Sequence, residues 1–304
     1  MSKDIKIVYN GCDISHNYEV LKCVHDMYSE DQADTLSIRL KDNDNIWSKW
    51  APVEGDTVEV TCSFGKTGLM YVNKVTPEHG YINFKAGVIR RTEMSNNQKS
   101  WEAVHFKQIC AEIAERHGLS VEYYGVKDQV YKYLNQENID DFKFLNERCR
   151  LEGCSFVVYN GKLVVFSYEY LESQASNHLV TVSNNNRLSI KDGESYSSAT
   201  ITNGSVEGVY SSGTGKAYSE NVNSAIATTA EANRYAKNIL RRVNFNKRIG
   251  EFYSPNYCLT ELSAASVINL RADIAFYSGK VFISHLRHDY RNGYSKVWFR
   301  EVSN

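Results

Sequence analysis

Proline is nearly absent from this chain, with three residues in 304, which excludes long rigid linkers and proline-rich disorder. A surplus of either charge is also missing. Lys+Arg number 35 against 36 Asp+Glu, for a formal net charge of -1, so no global basic field favours nucleic acid or an anionic membrane. No apolar run approaches the roughly 20 residues that cross a bilayer. The opening "MSKDIKIVYN" alternates polar and apolar residues and lacks a signal-peptide core. The expectation is a chain that starts in the cytoplasm and inserts into no membrane. Paired cysteine spacing is absent as well. Cys12, Cys23, Cys62, Cys110, Cys149, Cys154 and Cys258 fit reduced thiols, most of them buried as small hydrophobes.

What is present reads as a globular protein. Hydrophobic residues make up 42% and charged residues 23%, and the length suffices for two or three modest domains. Tyrosine, at 21 residues, suits protein–protein surfaces and strands alike.

Residues 1–90 read as β structure. Ile5, Ile7 and Tyr9 alternate before an Asn10-Gly11 turn; Leu36, Ile38 and Leu40 alternate; Val58, Val60, Cys62 and Phe64 share one face. Residues 91–171 read as an α/β module. Ser100 is the expected cap of a first helix that carries Phe106, Ile109, Cys110 and Ile113 and stops at Gly118. Asn138 is the expected cap of a second helix, which ends at Gly153 before a hairpin around Asn160-Gly161. Residues 172–304 return to β structure, with turns at Asp192-Gly193 and Asn203-Gly204. A polar surface loop "SSGTGKAYSENVNS" and a helix bearing Ala225, Ala232, Ala236, Ile239, Leu240 and Val243 interrupt it around 211–243.

Signs of chemistry do not hold up. "GTGK" at 213–216 lacks the leading glycine of a phosphate loop, where Tyr210 stands, and the following Ser or Thr, where Ala217 stands. "DNDNI" at 42–46 lacks the ligand pattern of a calcium loop and reads as a solvated turn. Cys149 and Cys154 have no second pair at zinc spacing. His285 and His288 fall on opposite faces of a strand, and Asp140 and Asp141 are ordinary first-turn acids. No catalytic, cofactor-binding or metal-ligating residue and no cofactor is expected. The alternatives are a cell-wall hydrolase and a carbohydrate- or surface-binding β module built on Trp47 and Trp50. Trp101 reads as a helix-start packing residue.

The strongest signal is a repeat. "GLMYVNKV" at 68–75 and "GKVFISHL" at 279–286 match in residue type: Gly68 with Gly279, Tyr71 with Phe282, Val72 with Ile283, Val75 with Leu286. Each then reaches a Gly-Tyr and a final strand, the second after a longer turn. The expected first core is Val58, Val60, Phe64, Met70, Val72, Ile82 and Phe84; the second is Ile274, Phe276, Ile283, Val297 and Phe299. The fold class is therefore α+β, mainly β: two similar small β-barrels with an α/β insert between them.

This order, with "DTLSIRLKDNDNIWSKWAPVEGDTVEV", "NQENIDDFKFLNERCRLEGCSFVVYNGKLVVF" and "GKVFISHLRHDYRNGYSKVWF", resembles the phage late control D proteins. These are the baseplate hubs of contractile tails, a family that includes hubs of phage-tail-like bacteriocins and the N-terminal half of the type VI spike protein VgrG. The matching positions are Gln136, Asp140, Asp141, Phe144, Leu145, Gly153, Asn160, Gly161 and His288, while 172–256 matches poorly. The resemblance implies a non-enzymatic structural protein of a virion tail or tail-like particle, assembled in the bacterial cytoplasm. It implies a homotrimer whose six barrels form a pseudo-sixfold ring between a hexameric tail tube protein and a trimeric spike protein. Other baseplate proteins and a tape-measure protein are further implied partners, and no specific nucleic-acid sequence is.

Overall fold

The computed structural model describes residues 5–16, 18–90, 95–176, 178–272 and 277–302. It is mainly β with a smaller helical part, an α+β protein. Ile274 and Phe276, expected in the second core, lie outside the described residues.

β1 (Lys6–Tyr9) turns into β2 (Cys12–Asp13) through Asn10 and Gly11, at φ 46° and 79°. Both angles are positive, as a tight hairpin turn demands. β3 (Val20–Tyr28) and β4 (Thr35–Lys41) follow, then the short α1 (Ile46–Trp50). Next come β5 (Thr57–Cys62), β6 (Gly65–Lys66), β7 (Met70–Glu78) and β8 (Tyr81–Gly87). Alternation in β4 and β8 buries Leu36, Ile38, Leu40, Ile82 and Phe84 on one face. Val58, Val60, Met70 and Val72 are buried as expected. Phe64 is half-buried in the turn after β5, because that strand ends at Cys62 to meet β6. "DNDNI" is less solvated than expected: Asp42 is buried, and its Oδ1 accepts from Ile46 N at 2.8 Å, starting α1.

The middle of the chain differs from its sequence reading at both helix starts. Ser100 lies inside β9 (Asn96–His105), and α2 (Phe106–Arg116) begins five residues later than a Ser100 cap implies. Local capping chemistry lost to antiparallel pairing with β11 (Val130–Asp140), which seats Trp101 opposite Leu134. Trp101 packs from this strand, stacked on Phe144 at 5.5 Å. Asn138 is at φ 47° in an irregular stretch of β11. The cap of α3 (Asp141–Glu152) is Asp140, which accepts from the amides of Phe142 and Lys143. Gly153, at φ 69°, ends α3 as expected. β10 (Ser120–Tyr124) pairs parallel with β13 (Lys162–Ser167), and β12 (Cys154–Tyr159) turns into β13 through Asn160-Gly161. The second strand of this hairpin stops at Ser167, whose hydroxyl caps α4 (Tyr168–Ser173).

The remaining elements are β14 (Leu179–Val182), β15 (Ser189–Asp192), β16 (Ser198–Thr202), β17 (Glu207–Ser211) and β18 (Ala217–Asn221). After them come α5 (Thr229–Val243), β19 (Arg248–Pro255), β20 (Val267–Ala272), β21 (Tyr277–Asp289) and β22 (Tyr294–Glu301). Asn203-Gly204 lies in the β16–β17 turn. Asp192-Gly193 makes no hairpin turn, since Gly193 continues toward Lys247, bonding its carbonyl at 3.0 Å. The polar stretch expected as a loop holds β18, paired parallel with β16. Ala225 is exposed ahead of α5, which Thr228 caps. α5 lies so close on β17 that a Cβ on Gly208 would sit 2.2 Å from the Ala232 backbone, so glycine is required there.

The duplication is visible strand by strand. β4, β8, β7 and β5 are neighbours in that order, and so are β19, β22, β21 and β20. Setting Val72 on Ile283 makes the registers coincide throughout: Val75 opposes Phe84 as Leu286 opposes Val297, and Ile38 opposes Phe84 as Phe252 opposes Val297. Val58 opposes Met70 as Ile268 opposes Val281. Both copies carry a bulge at one equivalent residue, Asn73 after Val72 and Ser284 after Ile283. A bulge adds one unpaired residue and bends the strand, so a shared one fixes the same curvature twice. On this register β3 precedes β4 as β15 precedes β19. The β3–β4 connection is short, whereas residues 193–247 stand between β15 and β19, within the stretch 172–256 that fits the family resemblance poorly. One continuous path, β15-β19-β22-β21-β3-β4-β8-β7-β5-β1-β2, runs through both copies, with β20 branching off it beside β21.

Equivalent positions are not equally covered. Leu286 is fully buried, while Val75 is half-buried. Leu286→Ala is expected to cost about 2–5 kcal/mol, and Val75→Ala less than half of that, as read by urea unfolding. Equal costs would show that Val75 is covered in the isolated chain.

Candidate assembly surface

The two copies meet where β3 runs antiparallel to β21, pairing Tyr28 with His285 through Val24 with Asp289. At the centre of this seam His25 opposes His288. Both are buried. Burial pushes the His25 imidazole down to about 3, with the neighbouring His288 adding to the effect. Burial likewise brings His288 to about 4. His25 Nδ1 lies 3.2 Å from the Tyr290 hydroxyl. His288 Nδ1 lies 2.6 Å from Ser295 Oγ, which donates to Asn256 Oδ1 at 2.6 Å. The seam is thus held by neutral imidazoles in a polar network that is largely closed to solvent.

The outward side of the seam is a ladder of rings and charges. Tyr28 stacks on His285 at 4.3 Å, and His285 stacks on Trp298 at 4.0 Å. Lys296 lies 4.5 Å from the centre of the Trp298 ring. His285 Nε2 and Arg287 Nε both donate to Asp26 Oδ1 at 2.7 Å. Burial works to raise the Asp26 carboxyl, but those two bonds outweigh it and hold the group below the usual carboxylate range. His285 and His288 fall on opposite sides of the strand, as their spacing requires.

A second junction joins α4 to the C-terminal strands. Glu172 is buried, and its two oxygens accept from Arg241 Nη2 and Arg300 Nη2, each at 2.6 Å. Arg300 is 2% exposed, and its guanidinium lies 3.6 Å from the Phe245 ring centre and 4.2 Å from that of Phe282. Burial pulls the Arg300 pKa down, against the pull of Glu172. Such a pair holds only while both charges are matched.

Beside this junction lies a polar cleft of about 1690 Å³. Its buried carboxylates are tied to arginines: Glu152 accepts from Arg234 at 2.9 and 3.0 Å, and Glu172 is held as above. The "GTGK" stretch lines the cleft, where Lys216 Nζ pairs with Glu194 at 2.7 Å. Asp140 and Asp141 have separate structural tasks. Asp140 caps α3, and the buried Asp141 accepts from Gln136 Nε2 at 2.8 Å beside Arg116 and His117. Trp47 and Trp50 do not form an open aromatic platform. Trp47 is fully buried against Tyr9, Tyr18 and Phe84, and Trp50 alone is exposed. Cys149 and Cys154 are buried, and among the described residues no His, Cys, Asp and Glu group is arranged to hold a metal ion. No helix among the described residues is long and apolar enough to cross a membrane. Sequence reasoning missed the Glu172–Arg300 junction and the facing histidines, because both depend on pairing between distant strands.

No protein-family model and no curated protein matches the sequence. The three-dimensional structure does have relatives. It is similar to the 43 kDa tail protein of prophage MuSo2 from Shewanella oneidensis, at 11% identity over 98% of each chain and a TM-score of 0.73. It is similar to a tail protein from Neisseria meningitidis MC58, at 13% identity over 98% of this chain and 96% of that one, with a TM-score of 0.77. An Escherichia coli component of the type VI secretion system matches at 10% identity over 98% of this chain and 77% of that one, with a TM-score of 0.65. The chain has the fold of phage tail proteins, a fold shared with type VI secretion components.

Proposed function

We propose that the chain is a structural component of a contractile tail or tail-like particle, acting as its baseplate hub. The duplication carries this reading. Two units share strand order, register and bulge, and on this reading they serve as two equivalent attachment surfaces in one chain. Three chains then offer six such surfaces to a sixfold tube while keeping threefold contacts for a spike, and heterologous contacts of this kind close into rings. The likeness in fold to tail proteins supports the reading. On this reading the two units belong to a first barrel in 1–90 and a second in 172–304, flanking an insert in 91–171. The arginine-bound carboxylates of the cleft favour a structural part over a hydrolase.

Light scattering of the full chain, alone and mixed with the spike and tube proteins of its own particle, tests this. The expected result is a trimer stabilised by the spike. A chain that stays monomeric in the presence of both partners would refute the hub reading.

A further inference from the structure

We propose that neighbouring copies join by strand pairing, with β15 of one copy lying antiparallel along Lys74–Glu78 of β7 in the next. The number of copies per ring rests on the hub reading above, whereas the pairing itself follows from the internal repeat.

Within the chain β21 has two edges. One is filled by β22, the other by β20 along Tyr277–Phe282 and then by β3 along His285–Asp289. Its counterpart β7 has one edge filled by β8 and the other by β5 only at Met70 and Tyr71. Further bonds to Val72 come from Gly55 and Asp56. Among the described residues, no strand covers Lys74–Glu78 on that edge. These residues are the equivalents of His285–Asp289.

The strand that fills this edge in the other copy is β3, and its equivalent is β15. Val24 and Asp26 oppose Ser37 and Thr35, as Ser189 and Lys191 oppose Glu251 and Ile249. β15 ends the sheet, with one side unpaired among the described residues. The chain therefore contains the joint once, as β3 on β21, and carries the two halves of a second joint apart, one on the open stretch of β7 and one on β15.

Hydrogen-bond parity agrees. Ser29 N bonds Ser284 O at 3.0 Å and Tyr290 N bonds Cys23 O at 2.9 Å, so His25 and Met27 point their peptide groups at β21. Gly193 N bonds Lys247 O at 3.0 Å, so Ser189 and Lys191 point theirs at β19, leaving those of Ile190 and Asp192 directed outward. These are the equivalents of His25 and Met27. In the pairing, Asp192 exchanges two bonds with Val75, and Ile190 N donates to the Pro77 carbonyl. Pro77 has no N–H, so one bond of the β3–β21 joint has no counterpart.

Burial agrees independently. Val24, His25, Asp26 and Met27 are all buried, while Ser189 and Ile190 are half-buried and Lys191 and Asp192 exposed. Leu286 and Val75 show the same contrast. Both deficits fall on the edges that the pairing would cover. The apolar Ile190 and Val75 match a second copy of this chain, because the covered version of each position already exists inside it.

The test uses the full chain with Cys12→Ser and Cys258→Ser, so that the exposed native thiols are removed. One preparation adds Thr76→Cys and a second adds Lys191→Cys, positions that face each other across the pair. Mixed under oxidised glutathione, in the presence of the spike protein, they should form a disulfide between copies. The Thr76→Cys chain mixed with a Ser211→Cys chain, cysteine there sitting on the edge of another sheet, should not. A further variant, Ile190→Pro, removes the outward amide of an edge strand. It should unfold at the wild-type temperature and lose self-association. An oligomer that forms without the 76–191 disulfide, or an Ile190→Pro chain that assembles like wild type, overturns the pairing and leaves the hub reading standing. No oligomer under any condition overturns both.

Discussion

Glu172→Ala is expected to destabilise the chain by about 3–5 kcal/mol, one of the largest single-residue effects in the molecule. The substitution leaves Arg300, 2% exposed between two phenylalanine rings, without its carboxylate. Arg241 loses its 2.6 Å partner at the same stroke. An unmatched cation at that depth has no water to turn to. Lys280 binds the backbone carbonyls of Glu172 and Gln174, so the end of α4 would also loosen from β21. Urea unfolding followed by tryptophan fluorescence is the measurement. The control is Glu194→Ala, which breaks an exposed pair with Lys216 and should leave the unfolding midpoint in place. A midpoint unmoved by Glu172→Ala would show that the junction carries little of the fold.

The second large effect is on acid stability, and its sign depends on three groups. His25 and His288 have folded pKa values depressed to about 3 and about 4. Their contribution is therefore fully present above the unfolded value near 6.5 and is lost as pH falls toward the folded values. Asp34 opposes them. Burial raises its carboxyl to about 7, so its contribution is present below about 4 and is lost as pH rises through 7. Between pH 6 and pH 5 each imidazole removes about 1 kcal/mol per unit of acidification and Asp34 returns about as much, for a net loss of about 1 kcal/mol per unit. Asp34→Asn should remove the opposing group and roughly double that slope, whereas His288→Asn should roughly cancel it. Urea titrations at a series of pH values decide this, and a flat wild-type profile would show that the seam histidines take up protons without opening.

Local signals were legible where one strand or one turn decided the outcome. Asn10-Gly11, Asn160-Gly161 and Gly153 made the turns and the helix stop their chemistry implies, and the apolar faces of β4, β5 and β8 were read correctly except at Phe64. The repeat at Gly68–Val75 and Gly279–Leu286 was in the right register, and the structure extended it to four strands in each copy. Ser100 and Asn138 misled because their capping chemistry is local, while β9 and β11 pair with each other over ten residues. The second copy was harder to see because residues 193–247 stand between β15 and β19. The candidate surface was least legible: His25 facing His288 and Glu172 meeting Arg300 join residues far apart in sequence, with no periodic signature along the chain.

The seam has one further consequence, for the order in which the molecule is made. Asp26 meets His285 across a separation of 259 residues. At roughly 5–20 residues per second of synthesis, β3 emerges roughly 13–50 seconds before the strand it pairs with exists. During that interval its outer edge is open and the first unit is incomplete. Contacts of such long range also slow folding. A strand made late therefore completes an edge made early, and a chain truncated before β21 would leave β3 exposed to other nascent chains.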